Sequence, residues 1–436
     1  MLFNNKCVGV NNMEFAAKPE NIFADFIDVY YTECTKRFPK IEAICGKWEF
    51  RDLIPGMSDF DTRFLCSDTM TAEDWCQMSQ AVGEVHLELC KDHPEWSRIL
   101  EHLPGVNPTW EEYLDEDSYY PEYAQWSIYR TTQEMKAHRA ERAMQTRGWD
   151  ERDEYFFLKK FLTYYGKYNR KIDPPINLGR FENKYPLHSR IMHYFTPPVQ
   201  AAVSLIERRT CRGKFEALEK ASSIFPELDI FKEVLAVVEQ HYEVPQLYEE
   251  PELKKLEDRM EKALQTMFLT VKDAIHIFPL TQDVQTAADI KKMLSSVNIS
   301  PVMQIFDSCR FCRLFKGRLY FYSNAPKHFD NIWLIQNELS RAGEMFFRGP
   351  YRIYWQALYG EKLDDPLRVL HTLSPDILTK EEVEATRRFA ELTPGTWESG
   401  REVAIAEEIV DIFDSVFKGL YKLNADLKSR MKNVVG

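Results

Sequence analysis

The run 41–65, IEAICGKWEFRDLIPGMSDFDTRFL, constrains this chain more than any other stretch. Residues 41–45 are mostly apolar and end on Gly46. A turn-rich segment with Pro55-Gly56 follows, and 60–66 is a second apolar run. Short apolar runs bounded by turn residues read as two strands around a loop. The second opens with Asp59 and Asp61 at i and i+2, which strand alternation puts on one face. Carboxylates converging on one spot repel each other unless a cation lies between them. Oxygen-only donors of this kind suit Mg2+, which keeps waters and takes further ligands from substrate phosphates. A glycine closing the first strand lets the backbone approach a phosphate chain closely.

The flanking pattern is mixed α/β. A helix is expected from Asn21, with Phe23, Phe26, Ile27 and Tyr30 on one stripe. A second helix over 71–92 carries Trp75, Met78, Val82, Val85 and Leu89 at helical spacing, opened by Thr71 and Asp74 as a capping box. Pro104-Gly105 and Pro108 break the chain, an acidic patch runs from Glu111 to Asp117, and 123–131 reads as another strand. From Gln133 the spacing is helical, punctuated by Asp173-Pro-Pro175, Pro197-Pro198 and Pro226. The helix holding Val199, Ala202, Val203 and Ile206 is expected to open with Thr196 as cap and Pro197 in first position. Residues 243–252 read as a linker, 309–322 as a basic-aromatic stretch with a strand pair turning at Lys316-Gly317, and 1–20 as a mobile lead-in. The last helix aligns Ile409, Phe413, Val416, Phe417 and Leu420. The expected class is α+β: an N-terminal domain with a small mixed sheet over 1–135, a helical domain over 136–245 and a C-terminal helical domain over 246–436.

Composition narrows the setting. A net charge of −12 argues against gripping a long nucleic acid, whose phosphates call for a basic stripe, and suits a cationic small molecule better. The same acidity also serves plain solubility. The nine cysteines are scattered without a framework of pairs, which fits a reducing compartment. The N-terminus lacks the order of a signal peptide, and no apolar run reaches the roughly 18 residues of a membrane span. A cytoplasmic protein with no membrane partner is expected.

Gly46, Ser58 and the pair Asp59-Phe60-Asp61 resemble the signature of the DNA polymerase beta-like nucleotidyltransferase superfamily, in particular its small-molecule, aminoglycoside-modifying branch. The resemblance covers about the first 135 residues and includes the preceding helix. It implies that Asp59 and Asp61 hold one or two Mg2+ ions and that an NTP, with ATP favoured, is the donor. An acceptor hydroxyl on a small molecule would attack the α-phosphate, and pyrophosphate would leave. Gly46, Lys47, Ser58, Arg63 and Lys214 are the expected nucleotide contacts, and Glu122 is the candidate third catalytic carboxylate, with 115–117 as its alternative. Two departures stand out. Lys47 occupies the family's serine position, and the expected third strand holds Gln125 and Ser127 but no acid. They favour the alternative of a nucleotide-binding sensor or interaction protein without catalysis.

Other candidates have plainer readings beside them. Glu84 and Glu88 could activate an acceptor or form a solvated helix face. Arg208, Arg209, Arg212 and Lys214 could reach a triphosphate or complement a helix C-terminus ended by Gly213. Arg63 could bind phosphate or make a structural ion pair. Cys309-x-x-Cys312 has no second pair to close a zinc site. His188 and His193 read as core or surface residues.

Overall fold

Phe23, Phe26, Ile27 and Tyr30 form one buried stripe of the Glu20–Arg37 helix, which leads directly into the first strand. The computed structural model describes residues 20–47, 50–54, 58–96, 99–170, 186–243, 249–281, 284, 286–326, 331–373, 376–395, 397 and 400–435. The lead-in before Glu20, the turns at Pro55-Gly56 and Asp173-Pro-Pro175 and the middle of the 243–252 segment lie outside them. Strands β1 (Ile41–Gly46), β2 (Thr62–Cys66) and β3 (Ser127–Thr131) form a sheet in the order β2-β1-β3, and helices make up most of the rest. The α+β class holds. The sheet, however, is not mixed: both of its strand pairs are antiparallel, and the one parallel contact among the described residues is an isolated bridge between Cys66 and Thr109.

The sheet separates two packed layers, as strand alternation requires. Ile44 and Phe64 face a large core shared with the Glu20–Arg37 and Ala72–Asp92 helices and with helices between 301 and 427. Ala43, Cys45 and Leu65 face a smaller core with Trp110, Tyr113, Trp126, Ala137 and Ala140. Helices between 157 and 294 build a third core, which Ile54 of the loop after β1 joins. The capping box at Thr71 forms as expected, with Asp74 N–H donating to the threonine and the aspartate accepting from Thr71 N–H at 2.8 Å. Arg313 fastens the C-terminal helices to the N-terminal unit: its guanidinium pairs with Glu112 at 2.6 Å and lies 3.9 Å over the Trp75 ring.

Several local expectations are overturned. Lys316-Gly317 is not a strand turn but part of the Phe315–Asn324 helix. A β-carbon on Gly317 would stand 2.2 Å from Ser79 O, so this glycine serves a close helix crossing against the Ala72–Asp92 helix. Thr196 is not a cap. A π-helical turn, Ser189–Phe195, runs into the Thr196–Glu207 helix, and the Thr196 hydroxyl donates back to Ile191 O. The prolines after Thr196 have no N–H to donate into that turn, which accommodates the wider spacing. Gly213 does not end the Val199 helix; it caps the start of the next one, Lys214–Ile224. β3 begins at Ser127, because Pro121–Gln125 closes into a short 3-10 turn led by its proline. The 34-residue Glu402–Val435 helix buries Ile409, Phe413, Val416, Phe417 and Leu420 as the spacing predicts.

Candidate functional site

Strand register gathers the site. Gly46 lies opposite Thr62 on one side and Ser127 on the other, so Lys47, Asp61 and the turn before β3 leave the sheet at one end. The two aspartates precede β2 rather than opening it. Thr62 N–H donates to Phe60 O at 2.7 Å, a tight turn about Asp61, while Lys47 N–H donates to Asp61 O at 3.3 Å. Glu122 comes from the Pro121–Gln125 turn.

Lys47 and Arg63 join these carboxylates. The Lys47 ammonium stands 3.8 Å from Asp61 Oδ2 and 3.5 Å from Glu122 Oε2. Arg63 donates through Nε and Nη2 to Glu122 Oε1 at 3.1 and 3.0 Å, and its Nη1 lies 3.6 Å from Asp61 Oδ1. Trp126 Nε1 donates to the same Glu122 oxygen at 3.3 Å. Arg63 and Glu122 therefore form a buried pair, with side chains 8% and 11% exposed, whereas Asp61 keeps 31%. Asp61, beside this buried pair, is the carboxylate of the group that solvent reaches. Burial would raise its pKa, but Lys47, Arg63 and Lys214 outweigh that and hold the carboxyl well below the usual range. Glu122 is lowered likewise: burial opposes its ionisation, and Lys47 and then Arg63 favour it.

The helical core adds two lysines. Lys214 sits at the first turn of the Lys214–Ile224 helix, whose N–H groups at Lys214 and Phe215 donate to Asp52 at 3.0 and 2.9 Å. Burial lowers the Lys214 pKa, against the pull of Asp52, Asp59 and Asp61. Lys160, on the Glu151–Arg170 helix, donates to Gln200 Oε1 at 2.8 Å; burial, and then Lys47, brings it down to about 7. Sequence reasoning missed Lys160 and Asp52. Lys160 borders the Phe157, Leu158, Phe161 and Leu162 stripe, where a lysine reads as a snorkelling surface residue. Asp52 carried no signal beyond being an acid in a loop.

Other candidates fall elsewhere. The Ser58 hydroxyl accepts from Ile54 N–H at 2.8 Å and so ties the base of its own loop. Gly46 meets aromatic rings: an added β-carbon would lie 2.4 Å from Tyr129 Cε2 and 2.8 Å from Phe60 Cζ. Glu84 and Glu88 pair with Arg37. Among 115–117, Glu116 pairs with Arg152 at 3.0 Å. His188 is buried edge-on to His193 and Tyr242. Cys309 and Cys312 are buried free thiols on one helix. Arg208, Arg209 and Arg212 do not join Lys214; with Trp126 they line a separate cavity.

Among the described residues, no three or more His, Cys, Asp or Glu side chains gather as a set for a metal ion. Glu122 has one oxygen held by Arg63 and Trp126 and the other facing Lys47. The fit of a divalent cation therefore rests on Asp59 and Asp61, both partly exposed. Their oxygen donors suit Mg2+, while the Lys47 ammonium already stands 3.8 Å from Asp61 Oδ2. No family model, curated protein or solved structure matches this chain. No helix among the described residues is long and apolar enough to cross a membrane.

Proposed function

We propose that the chain transfers a nucleoside monophosphate from an NTP, ATP first among them, to a hydroxyl of a small molecule and releases pyrophosphate. The observation that carries this reading is the convergence, on the open carboxylate Asp61, of Lys47 and Arg63 from the sheet end and Lys214 from the helical core. Lysines and an arginine around that carboxylate complement a triphosphate, whose charge grows on the leaving group as the bond to the α-phosphorus breaks. Lys214 and Lys160 belong to the other core, so a triphosphate between them and Asp61 would be clamped from both sides. Asp59 and Asp61 would hold Mg2+, which would supply charge neutralisation on the phosphates when bound. Arg63 holds Glu122 and Trp126 in place behind Asp61, a positioning role.

Lys47 favours a second reading, nucleotide binding without transfer, because its ammonium stands between Asp61 and Glu122, where the resemblance would put carboxylates around a metal. Thermal stabilisation by each NTP with Mg2+, together with pyrophosphate release over a panel of hydroxyl-bearing acceptors, separates the two. Transfer predicts both signals, with pyrophosphate release and the Mg2+-dependent part of the stabilisation lost in Asp59→Asn/Asp61→Asn. Stabilisation without release under every acceptor supports the second reading, and absence of both removes nucleotide recognition altogether.

A further inference from the structure

The arginines that part from Lys214 line a cavity of about 530 Å³ between β3, the Glu134–Thr146 helix and the end of the Thr196–Glu207 helix. That volume is of the size that encloses a small organic molecule. Trp126 forms part of its wall, while the Trp126 indole N–H donates to Glu122. Trp126 therefore links the cavity to Glu122, which Lys47 and Arg63 join to Asp61.

Its charge is unbalanced. Arg147 and Asp153 both line it, but they pair with each other at 2.6 Å, and the Arg147 guanidinium lies 3.5 Å over the Tyr119 ring. Arg208 reaches Glu154 at 3.6 Å. The Arg212 guanidinium donates to Trp126 O and Ser127 Oγ at 2.8 and 2.7 Å and has no acidic partner among the described residues, while its backbone N–H donates to Glu216 at 2.9 Å. Arg209 is exposed and also has none there, and Glu141 is the one lining acid besides Asp153. Two more donors in the walls lack acceptors: the Trp149 indole N–H and the Arg212 Nε–H are buried without a hydrogen bond. Arg208 adds an independent sign. It closes its helix at φ +51, a left-handed conformation that favours glycine, so a long cation is held there against a backbone cost.

We propose that this cavity is a binding site for an anionic aromatic small molecule, its oxyanion held by Arg209 and Arg212 and its ring packed against Trp126 and Trp149. Guanidinium pairs take carboxylate and phosphate oxygens in a planar fork, and indole faces accept flat rings. The site is separate from nucleotide recognition at Asp61 and stands or falls without it.

Calorimetric titration of the full chain with phenyl phosphate, benzoate, phenol and benzylamine tests this by holding the ring and changing the charge. Saturable binding is expected for phenyl phosphate and benzoate, with phenol and benzylamine much weaker. Arg209→Glu, at an exposed side chain with no ion pair, should keep the unfolding temperature and weaken phenyl phosphate by tenfold or more, as loss of a charged hydrogen bond does. Asp59→Asn/Asp61→Asn should leave that affinity unchanged. Equal binding of all four probes, no binding by the anions, indifference to Arg209→Glu, or a change of affinity in either direction in the aspartate variant would each overturn the assignment.

Discussion

Asp52→Ala should loosen the clasp between the sheet end and the helical core and weaken polyphosphate binding with it. Asp52 is 1% exposed, and its two oxygens accept from Lys214 and Phe215 N–H at 3.0 and 2.9 Å. Removing them leaves two buried N–H groups at a helix N-terminus. An N-cap is worth about 1 kcal/mol, and a hydrogen bond to a charged group roughly 1.5–3. We expect a loss of about 2–4 kcal/mol, and a smaller one for Asp52→Asn, which keeps one acceptor oxygen. Urea unfolding followed by two probes reads the loss, because a chain with several cores need not unfold in one step. A second readout isolates the electrostatic role. Burial lowers the Lys214 pKa and Asp52 counters it, so Asp52→Asn should leave less ammonium in alkaline solution. Tripolyphosphate affinity measured without divalent cations should then fall more steeply as the solution is made alkaline in Asp52→Asn than in the parent. Unchanged urea midpoints for Asp52→Ala together with superimposable pH profiles for Asp52→Asn would show that Asp52 is no such clasp.

Three further outcomes are expected. Asp61→Asn should abolish pyrophosphate release while metal-free tripolyphosphate binding persists or tightens, since a negative charge leaves the site of Lys47, Arg63 and Lys214; calorimetry with and without Mg2+ shows it. Lys160, at about 7 in the fold against roughly 10.4 unfolded, binds fewer protons folded than unfolded between those values. Stability should therefore rise with pH across that window, and anion affinity should fall above neutrality; both slopes flatten in Lys160→Met. Gly46→Ala should cost about 1–3 kcal/mol by overpacking, because its β-carbon would press on Tyr129 and Phe60; thermal unfolding measures it.

Elements with strong periodicity were legible. The Glu20–Arg37, Ala72–Asp92 and Glu402–Val435 helices each carry an apolar stripe that burial confirms, and the strands around the Asp-x-Asp loop follow from short apolar runs. Errors came where a glycine or proline has two uses. Gly317 and Gly46 serve close packing, which a lone sequence cannot distinguish from turn formation or phosphate approach. Pro197 follows a π-helical turn instead of opening a helix. At the site, Asp59, Asp61, Lys47 and Arg63 could be nominated because they share one local run. Lys160 and Asp52 could not, since their meaning depends on partners on other elements: Gln200 for Lys160, and Lys214 and Phe215 for Asp52. The arginines at 208, 209 and 212 and Lys214 look like one cluster in sequence. The capped start of the Lys214–Ile224 helix turns them to different sides.

Lys47 joins the sheet end to the carboxylates of the site. Its backbone is tied to Asp61 O at the end of the sheet, and its ammonium stands 3.8 Å from Asp61 Oδ2 and 3.5 Å from Glu122 Oε2. A flexible four-carbon stem can carry that charge elsewhere while the backbone stays put. In the free site Lys47 offsets the mutual repulsion of Asp61 and Glu122. Arg63, fixed by Nε and Nη2 on one Glu122 oxygen, cannot turn away without stranding a buried carboxylate. Of the two cations paired with Asp61, Lys47 therefore sits on the more flexible stem, and under the proposed transfer it would be the one to turn toward an arriving phosphate and leave Asp61 to a metal ion. Under the proposed binding without transfer, the ammonium would stay on Asp61. The two proposed readings thus differ first in what the Lys47 ammonium does, not in the count of carboxylates.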